Sequence, residues 1–450
     1  NWAWATRPCA ALVCRWFLRW FNPMICAYST KQIYGFFPRH RPGKNLYLCQ
    51  NNPVMKTLND FDFNGKRALI RVDFNVPLNA NLEVTDATRI QAAKPTIMHI
   101  LNQGGSCVLM SHLGRPKSKE SEFSLSHITS NVSEILGVPV AFVSDCIGEE
   151  AQEAVARLPQ GGVLLLENLR YYPQEEKGDH EFSKALAAHG DIYVNDAFGT
   201  AHRAHASTAI IAEYFKGKSC FGTLLASEII NVNKVMHDGE SPVTAIIGGA
   251  KVSSKITIIE RILDSVDHLI IGGGMAFTFI KAQGGSIGTS LVEDDKQELA
   301  LNILAKAKVK GVMVHLPIDT VITQEFSNEA PTEISQINAI PDQWMGLDAG
   351  PETRKKFAAV IAQSKTILFN GPVGVFEMPT FAHGTIALCE AIAQATKNGA
   401  FSLVGGGDSV AAVKQFNYED KVSYVSTGGG AMLEMLEGKT LPGIAAVLNA

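Results

Sequence analysis

VTAIIGGAKVSSK, residues 243–255, is the stretch that decides the fold. Five apolar or β-branched residues run without strict alternation into a glycine pair, and a polar turn comes next. A strand with little polar alternation is one covered on both faces, which is how a parallel strand between two helix layers reads. Working outward, the same unit recurs along the chain. The earlier runs are Arg67–Phe74, Cys107–His112, Val140–Ser144, Val163–Glu167 and Ile192–Asn195. The later ones are Val243–Ile247, His268–Ile271, Val312–His315, Thr366–Phe369, Phe401–Val404 and Val422–Val425. Segments with helical spacing lie between them, such as Asp294–Lys310 and Thr353–Ser364. Repeated strand–helix alternation predicts an α/β protein built on doubly wound parallel sheets. The runs form two groups separated by SEIINVNKVMHDGE, Ser227–Glu240, which reads as a helix ending in a polar turn. A chain of 450 residues exceeds what one core usually serves, so two domains are expected. They are placed at residues 55–226 and 241–435, joined by a helix at 227–240 and followed by a tail at 436–450.

The charge is unevenly spread. Residues 1–55 hold no Asp or Glu and seven basic residues, which leaves 33 basic against 44 acidic residues in the remainder, a net of −11. Four of the five Trp and four of the eight Cys also fall in this leading segment. Residues 1–54 therefore read as an extension foreign to the rest of the chain, with Met55 as the start of the folded protein. A transit peptide is the competing reading, since such peptides are rich in Arg and poor in acids, but no clean amphipathic period is present. The net charge of −4 argues against nonspecific nucleic-acid binding. No apolar run is long enough to span a bilayer. Cys107, Cys146, Cys220 and Cys389 are far apart and form no CxxC or Cys/His metal spacing, so buried thiols in a cytoplasmic protein are expected.

In open α/β sheets, ligands bind outside the carboxyl ends of the strands. In the first half those ends are polar and basic: Asp73-Phe74-Asn75, His112-Leu113-Gly114-Arg115, Asn168-Leu169-Arg170 and Asn195-Asp196, then His202 and Arg203. Arg89 follows TDAT at a helix start with Thr85 or Asp86 as cap. One such arginine is usually a solvated surface ion pair. Several at one sheet edge suit a carboxylate or phosphate, which guanidinium binds through two parallel hydrogen bonds. In the second half the strand ends are glycine: Gly248-Gly249, Gly272–Gly274, Asn370-Gly371, Gly405–Gly407 and Gly428–Gly430. Glycine lets the backbone approach a ligand, and N–H groups at a helix start hold phosphate. One such turn can be simple strand-to-helix packing; five in one half favour a nucleotide phosphate site. No GxxxxGK[ST] occurs, and no strand-linked GxGxxG with an acidic partner.

Nine segments, RVDFNVP (71–77), SHLGRP (111–116), LENLR (166–170), NDAFGTAHR (195–203), GGAKVSSK (248–255), GGGMAFTF (272–279), NGPVGVFE (370–377), GGGDS (405–409) and STGGGA (426–431), stand in the order and spacing of the phosphoglycerate kinase family. The chain resembles that family from about Met55 to Ala450, and residues 1–54 match nothing in its pattern. The resemblance implies two Rossmann-like domains joined by a helical hinge, and reversible phosphoryl transfer from 1,3-bisphosphoglycerate to ADP. By the same resemblance, Asp73, Phe74, Asn75, Arg89, His112, Leu113, Gly114, Arg115, Arg170 and Arg203 hold 3-phosphoglycerate. Lys251, Lys255, Gly273, Asn370, Glu377, Gly406, Gly407, Asp408 and Ser409 hold ADP or ATP, with Asp408 toward Mg2+. Arg89, Lys251, Gly407 and Gly429 stabilise the moving phosphoryl group, and the closing LPGIAAVL returns to the first domain. A monomer acting on small molecules, with no nucleic-acid or membrane partner, is expected. Two alternatives remain open: a nicotinamide-dependent oxidoreductase, and a non-catalytic two-domain anion-binding protein.

Overall fold

The computed structural model describes residues 55–450; the extension at 1–54, and the reading of it as foreign, lie outside the described residues. The first six strands are β1 (Arg67–Arg71), β2 (Ser106–Met110), β3 (Val140–Phe142), β4 (Val163–Leu165), β5 (Ile192–Asn195) and β6 (Ser219–Phe221). They form one all-parallel sheet in the order β3-β4-β2-β1-β5-β6. The chain then continues through β7 (Val243–Ile247), β8 (His268–Ile271), β9 (Ser286–Ile287), β10 (Met313–His315), β11 (Asp319–Thr323), β12 (Glu333–Gln336), β13 (Ala339–Ile340), β14 (Met345–Ala349), β15 (Thr366–Asn370), β16 (Phe401–Val404) and β17 (Tyr424–Val425). Six of these make a second all-parallel sheet, β10-β8-β7-β15-β16-β17. The central strands are buried along their length, as their unbroken apolar runs require.

Strand order reverses between β1 and β5 in the first sheet and between β7 and β15 in the second. Flanking crossovers leave the sheet in opposite directions there and open a crevice at the carboxyl edge. Backbone can come very close at such a point. A Cβ on Gly248, after β7, would collide with the carbonyls of Gly371 and Pro372, after β15.

The runs read from sequence extend two or three residues past several strands, because residues such as Val72–Phe74 have already turned toward the crevice. The three-residue β6 was missed, and so was a whole layer. Antiparallel β12-β11-β14 and the pair β13-β9 build a wall beside the second sheet. β12 is largely exposed, so it carries no apolar run to betray it.

The helix between the sheets spans Thr223–Met236 and so starts four residues before the predicted Ser227. One buried cluster runs from Leu69 and Val108 through Leu225, Val232 and Val235 to Val243 and Ile247. Each fully buried aliphatic side chain contributes roughly 1.5–3 kcal/mol, so apolar packing and not polar contact dominates this joint. The final helix, Pro442–Asn449, lies on β6, with Asn195 Nδ2 donating to the Gly443 carbonyl at 3.2 Å. Cys107, Cys146, Cys220 and Cys389 are buried free thiols. No helix among the described residues is long and apolar enough to cross a membrane.

Candidate active site

The basic edge is a connected network. Helix Thr88–Asn102 delivers Arg89, whose Nη1 donates to the Asn75 carbonyl at 3.0 Å and lies 3.2 Å from Asp73 Oδ2. The helix opens slightly later than expected, with Ala87 at its cap. Asp86 Oδ1 still accepts from the Thr88 N–H at 2.8 Å, whereas Thr85 turns away and donates to the Pro77 carbonyl. Asn75 Oδ1 accepts from the Gly114 N–H at 2.8 Å, and the Gly114 carbonyl accepts from Arg170 Nη1 at 2.7 Å. Arg170 also lies 3.3 Å from Glu176, and its side chain is only 7% exposed. Burial lowers its pKa, and the Glu176 carboxylate opposes that shift. Arg203 is half-buried and donates from Nε to His202 Nε2 at 3.2 Å; Arg115 is exposed. Phe74 and Leu113 are buried in the first core, so only their backbone reaches the edge.

Beneath this edge lies a layer the sequence did not disclose. Arg71 is 1% exposed. Its Nε donates to Ser207 Oγ at 2.8 Å, and Ser207 in turn donates to the buried Glu175 at 2.6 Å. Arg71 Nη2 lies 3.2 Å from His112 Nδ1. A guanidinium can only donate, so Nδ1 must accept and the His112 proton sits on Nε2. Burial, then the charges of Arg71, Arg170 and Arg89, hold His112 well below its ordinary pKa. It is a neutral imidazole with a fixed tautomer. His205, buried against Glu175, is lowered to about 4 by burial and then by the charges of Arg71, Arg170 and Arg203. The available signal was Arg71 itself, since a cation on a strand covered on both faces needs a buried partner. Nothing in the sequence pointed to Glu175, about a hundred residues away.

The glycine edge adjoins a cavity of about 500 Å³, within the size range of small-molecule sites. Gly249, Gly273, Phe277, Leu291, Met345 and Val373 line it, with Glu377 and Asp408 at the same cavity. The predicted residues on this edge are tied to one another. Lys255 Nζ donates to Asn370 Oδ1, and Asn370 Nδ2 donates to the Gly405 carbonyl at 2.7 Å. Burial lowers the Lys255 pKa and Asp408 partly restores it. The buried Ser409 accepts from the Gly371 N–H at 2.5 Å. Gly406 adopts φ +91°, and a Cβ there would stand 2.7 Å from Asn370 Nδ2, so glycine is needed on both counts. Gly407 opens helix Gly407–Gln415 and is exposed, with nothing within 4 Å of where a Cβ would stand. Lys251 and Asp408 are exposed. Gly429, at φ +47°, caps the short helix Gly430–Leu436.

The two edges are brought within reach of each other. Lys414, near the end of the helix that Gly407 opens, donates to Thr88 Oγ1 at 3.3 Å, one residue from Arg89. Among the described residues, no three His, Cys, Asp or Glu side chains converge as a metal site. An exposed carboxylate beside the glycine turns, as Asp408 is, suits an ion whose other ligands arrive with a nucleotide.

Two doubly wound domains, each with a candidate site at its switch point, one cationic and one glycine-lined, define a two-domain α/β protein suited to binding anions at both edges. A family model described as phosphoglycerate kinase matches residues 58–439. The phosphoglycerate kinase of Porphyromonas gingivalis is 54% identical over 87% of this chain and 99% of its own, and the cytosolic phosphoglycerate kinase 3 of Arabidopsis thaliana is 52% identical over 88% and 98%. The solved phosphoglycerate kinase of Coxiella burnetii superposes with a TM-score of 0.81 at 41% identity, covering 88% of this chain and 99% of that one. The chain belongs to the phosphoglycerate kinase family.

Proposed function

We propose that the protein transfers a phosphoryl group reversibly between 1,3-bisphosphoglycerate and ADP, giving 3-phosphoglycerate and ATP. The single observation that carries this reading is the placement of cations at one switch point and glycine turns at the other, in two domains joined by one helix. In this reading residues 55–226 and 241–435 are the triose and nucleotide domains, and 436–450 clasps the first. Arg170, Arg203, Arg115 and His112 Nε2 bind the triose anion, with Asp73, Asn75 and the backbone at 113–114 framing them. Lys255, Asn370, Gly406 and Ser409 shape the phosphate turn, Gly273 lines the cavity, and Glu377 meets the ribose hydroxyls. Asp408 would hold Mg2+, which neutralises charge on the nucleotide phosphates when bound.

Direct in-line transfer needs alignment and charge stabilisation rather than a covalent carrier. Arg89, Lys251 and the N–H groups at Gly407 and Gly429 supply that stabilisation. The neutral, buried His112 is a donor to substrate, not a phosphocarrier. The oxidoreductase and non-catalytic alternatives have no support in the family the chain belongs to. We take the protein to be a cytosolic monomer, although relatives include chloroplastic as well as cytosolic forms. A coupled assay of 3-phosphoglycerate-dependent ATP consumption tests the reading. It should show turnover that depends on Mg2+, and Asp408→Ala should raise the Mg2+ and ATP requirements while leaving the 3-phosphoglycerate KM near normal. Absence of turnover with both substrates and Mg2+ would refute the function, and unchanged Mg2+ dependence in the variant would remove Asp408 from the site.

A further inference from the structure

Between β7 and helix Ile256–Ile262, the loop Gly248–Lys255 carries both candidate phosphate lysines. It is folded on itself: Ser254 Oγ donates to the Lys251 carbonyl at 2.8 Å, and the Lys255 N–H donates to the Val252 carbonyl at 2.9 Å. Bonds to residues outside the loop fix where this folded turn sits, beginning with the Gly248 and Gly249 N–H groups, which donate to the Asn370 and Pro372 carbonyls, both at 3.1 Å. At its start, the Gly249 carbonyl accepts from the Met275 N–H at 3.0 Å. At its far side, Ser253 donates twice to one carboxylate, from N–H to Glu293 Oε2 at 2.9 Å and from Oγ to Glu293 Oε1 at 2.5 Å. Lys251 lies midway between these attachments.

Glu293 is itself held. Its N–H donates to Thr278 Oγ1 at 3.1 Å, and Thr278 is buried on helix Met275–Ala282. The next residue, Asp294, accepts from Lys281 of that same helix at 2.7 Å. Two residues before Glu293 is Leu291, which lines the nucleotide-sized cavity. Partial burial alone would raise the Glu293 pKa, but the hydrogen bonds from Ser253 and Val252 prevail and hold it below the usual carboxylate range. Here both oxygens face Ser253 and serve the loop.

We infer that Glu293 is a positioning residue for nucleotide binding, clamping the lysine loop to the cavity wall that carries Leu291. The inference rests on reading Lys251 and Lys255 as nucleotide ligands. With the clamp in place, the position of the phosphate lysines is fixed relative to the cavity before the nucleotide arrives. Without it, the Ser253 side of the loop, next to Lys251, must be ordered on binding, and that ordering subtracts from nucleotide affinity alone.

Steady-state kinetics with both substrates, together with calorimetric titration of MgADP into the enzyme without 3-phosphoglycerate, tests this. Glu293→Ala should raise the nucleotide KM and Kd on the order of tenfold, as expected for losing charge-assisted hydrogen bonds. The 3-phosphoglycerate KM should stay within about twofold, and kcat should fall less than the nucleotide KM rises. Glu293→Gln keeps one acceptor oxygen and should lie between the parent and Glu293→Ala. Adding Ser253→Ala to Glu293→Ala should cost nothing further, because both remove the same contact. A nucleotide KM that Glu293→Ala leaves within twofold, while Lys255→Ala raises it, would overturn the role of Glu293 alone. If Lys255→Ala were equally silent, the lysine reading would fail and the clamp with it. A parallel rise in both KM values with a lower Tm would show a structural role only and would also overturn the inference.

Discussion

Replacing Arg89 by Ala separates catalysis from folding. Arg89 holds Asp73 at 3.2 Å, and its own side chain is 37% exposed. An ion pair that open to solvent contributes on the order of 1 kcal/mol or less to stability, so Arg89→Ala should fold with at most a few degrees of change in Tm. Its effect on turnover should be much larger. Nη1 is committed to Asp73 and Asn75, which anchors one corner of the planar fork. The remaining donors of the fork can then meet the equatorial oxygens of the transferring group, where charge peaks near the transition state. Interactions stronger in the transition state than in the ground state act on kcat rather than KM. Removing one electrostatic stabiliser of this kind costs about 10²–10³-fold in kcat. The coupled assay should therefore show that loss with both KM values moving only a few fold. Arg89→Lys should rescue in part, since a point charge reproduces the charge but not the fork. If Arg89→Ala keeps its kcat within a few fold of the parent, Arg89 is only a partner for Asp73.

Arg170→Ala should raise the 3-phosphoglycerate KM about ten- to a hundredfold, the cost of a lost charge-assisted hydrogen bond of roughly 1.5–3 kcal/mol, with the ATP KM unchanged; an equal rise in both would contradict the division between domains. Glu228 on the joining helix offers a pH test, because burial raises its pKa from 4.5 to about 7 in the folded protein. Folded protein then binds more protons than unfolded between those values, so this group's stabilisation is full below pH 4.5 and is lost as pH climbs to 7, on the order of 3 kcal/mol. Glu228→Gln should flatten the fall in Tm between pH 5 and pH 8, and melting curves that track the parent's at every pH would refute it.

The sheets were legible because parallel strands covered on both faces leave unbroken apolar runs such as Val243–Ile247, and that signal needs no partner information. Most residues of the candidate site were legible for a related reason. Ligand contacts gather where strands end, and the turns after β2, β5, β7, β8 and β16 carry arginine, histidine or glycine in conspicuous excess. What escaped was whatever depends on a distant partner. Arg71 is intelligible only with Ser207 and Glu175, and the cavity wall β12-β11-β14 only with its antiparallel neighbours. Glu293 sits in an acidic run, VEDD, that reads as a solvated helix start until Ser253 is found against it.

The joining helix offers a physical link through which the two candidate edges would act on one reaction, as proposed. Its first turn is held by Asp196, whose Oδ1 accepts from the Leu224 and Leu225 N–H groups at 2.9 and 3.1 Å. Asp196 directly follows β5, on the edge that carries Arg203. One turn on, the buried Glu228 accepts from the Thr427 N–H at 2.7 Å and its hydroxyl at 2.9 Å. Thr427 directly precedes Gly428–Gly430, on the glycine edge. The helix is thus bonded to one turn from each site. Between those turns the contact is tight, since any Cβ on Gly428 would run into the Phe198 ring, three residues past β5 on the cationic edge. Interfaces packed this closely shift between discrete arrangements rather than deform continuously. A rotation about the helix would therefore move Phe198 over Gly428, and with them the two candidate edges. Alignment for in-line transfer and exclusion of water then become a single rearrangement rather than two independent ones.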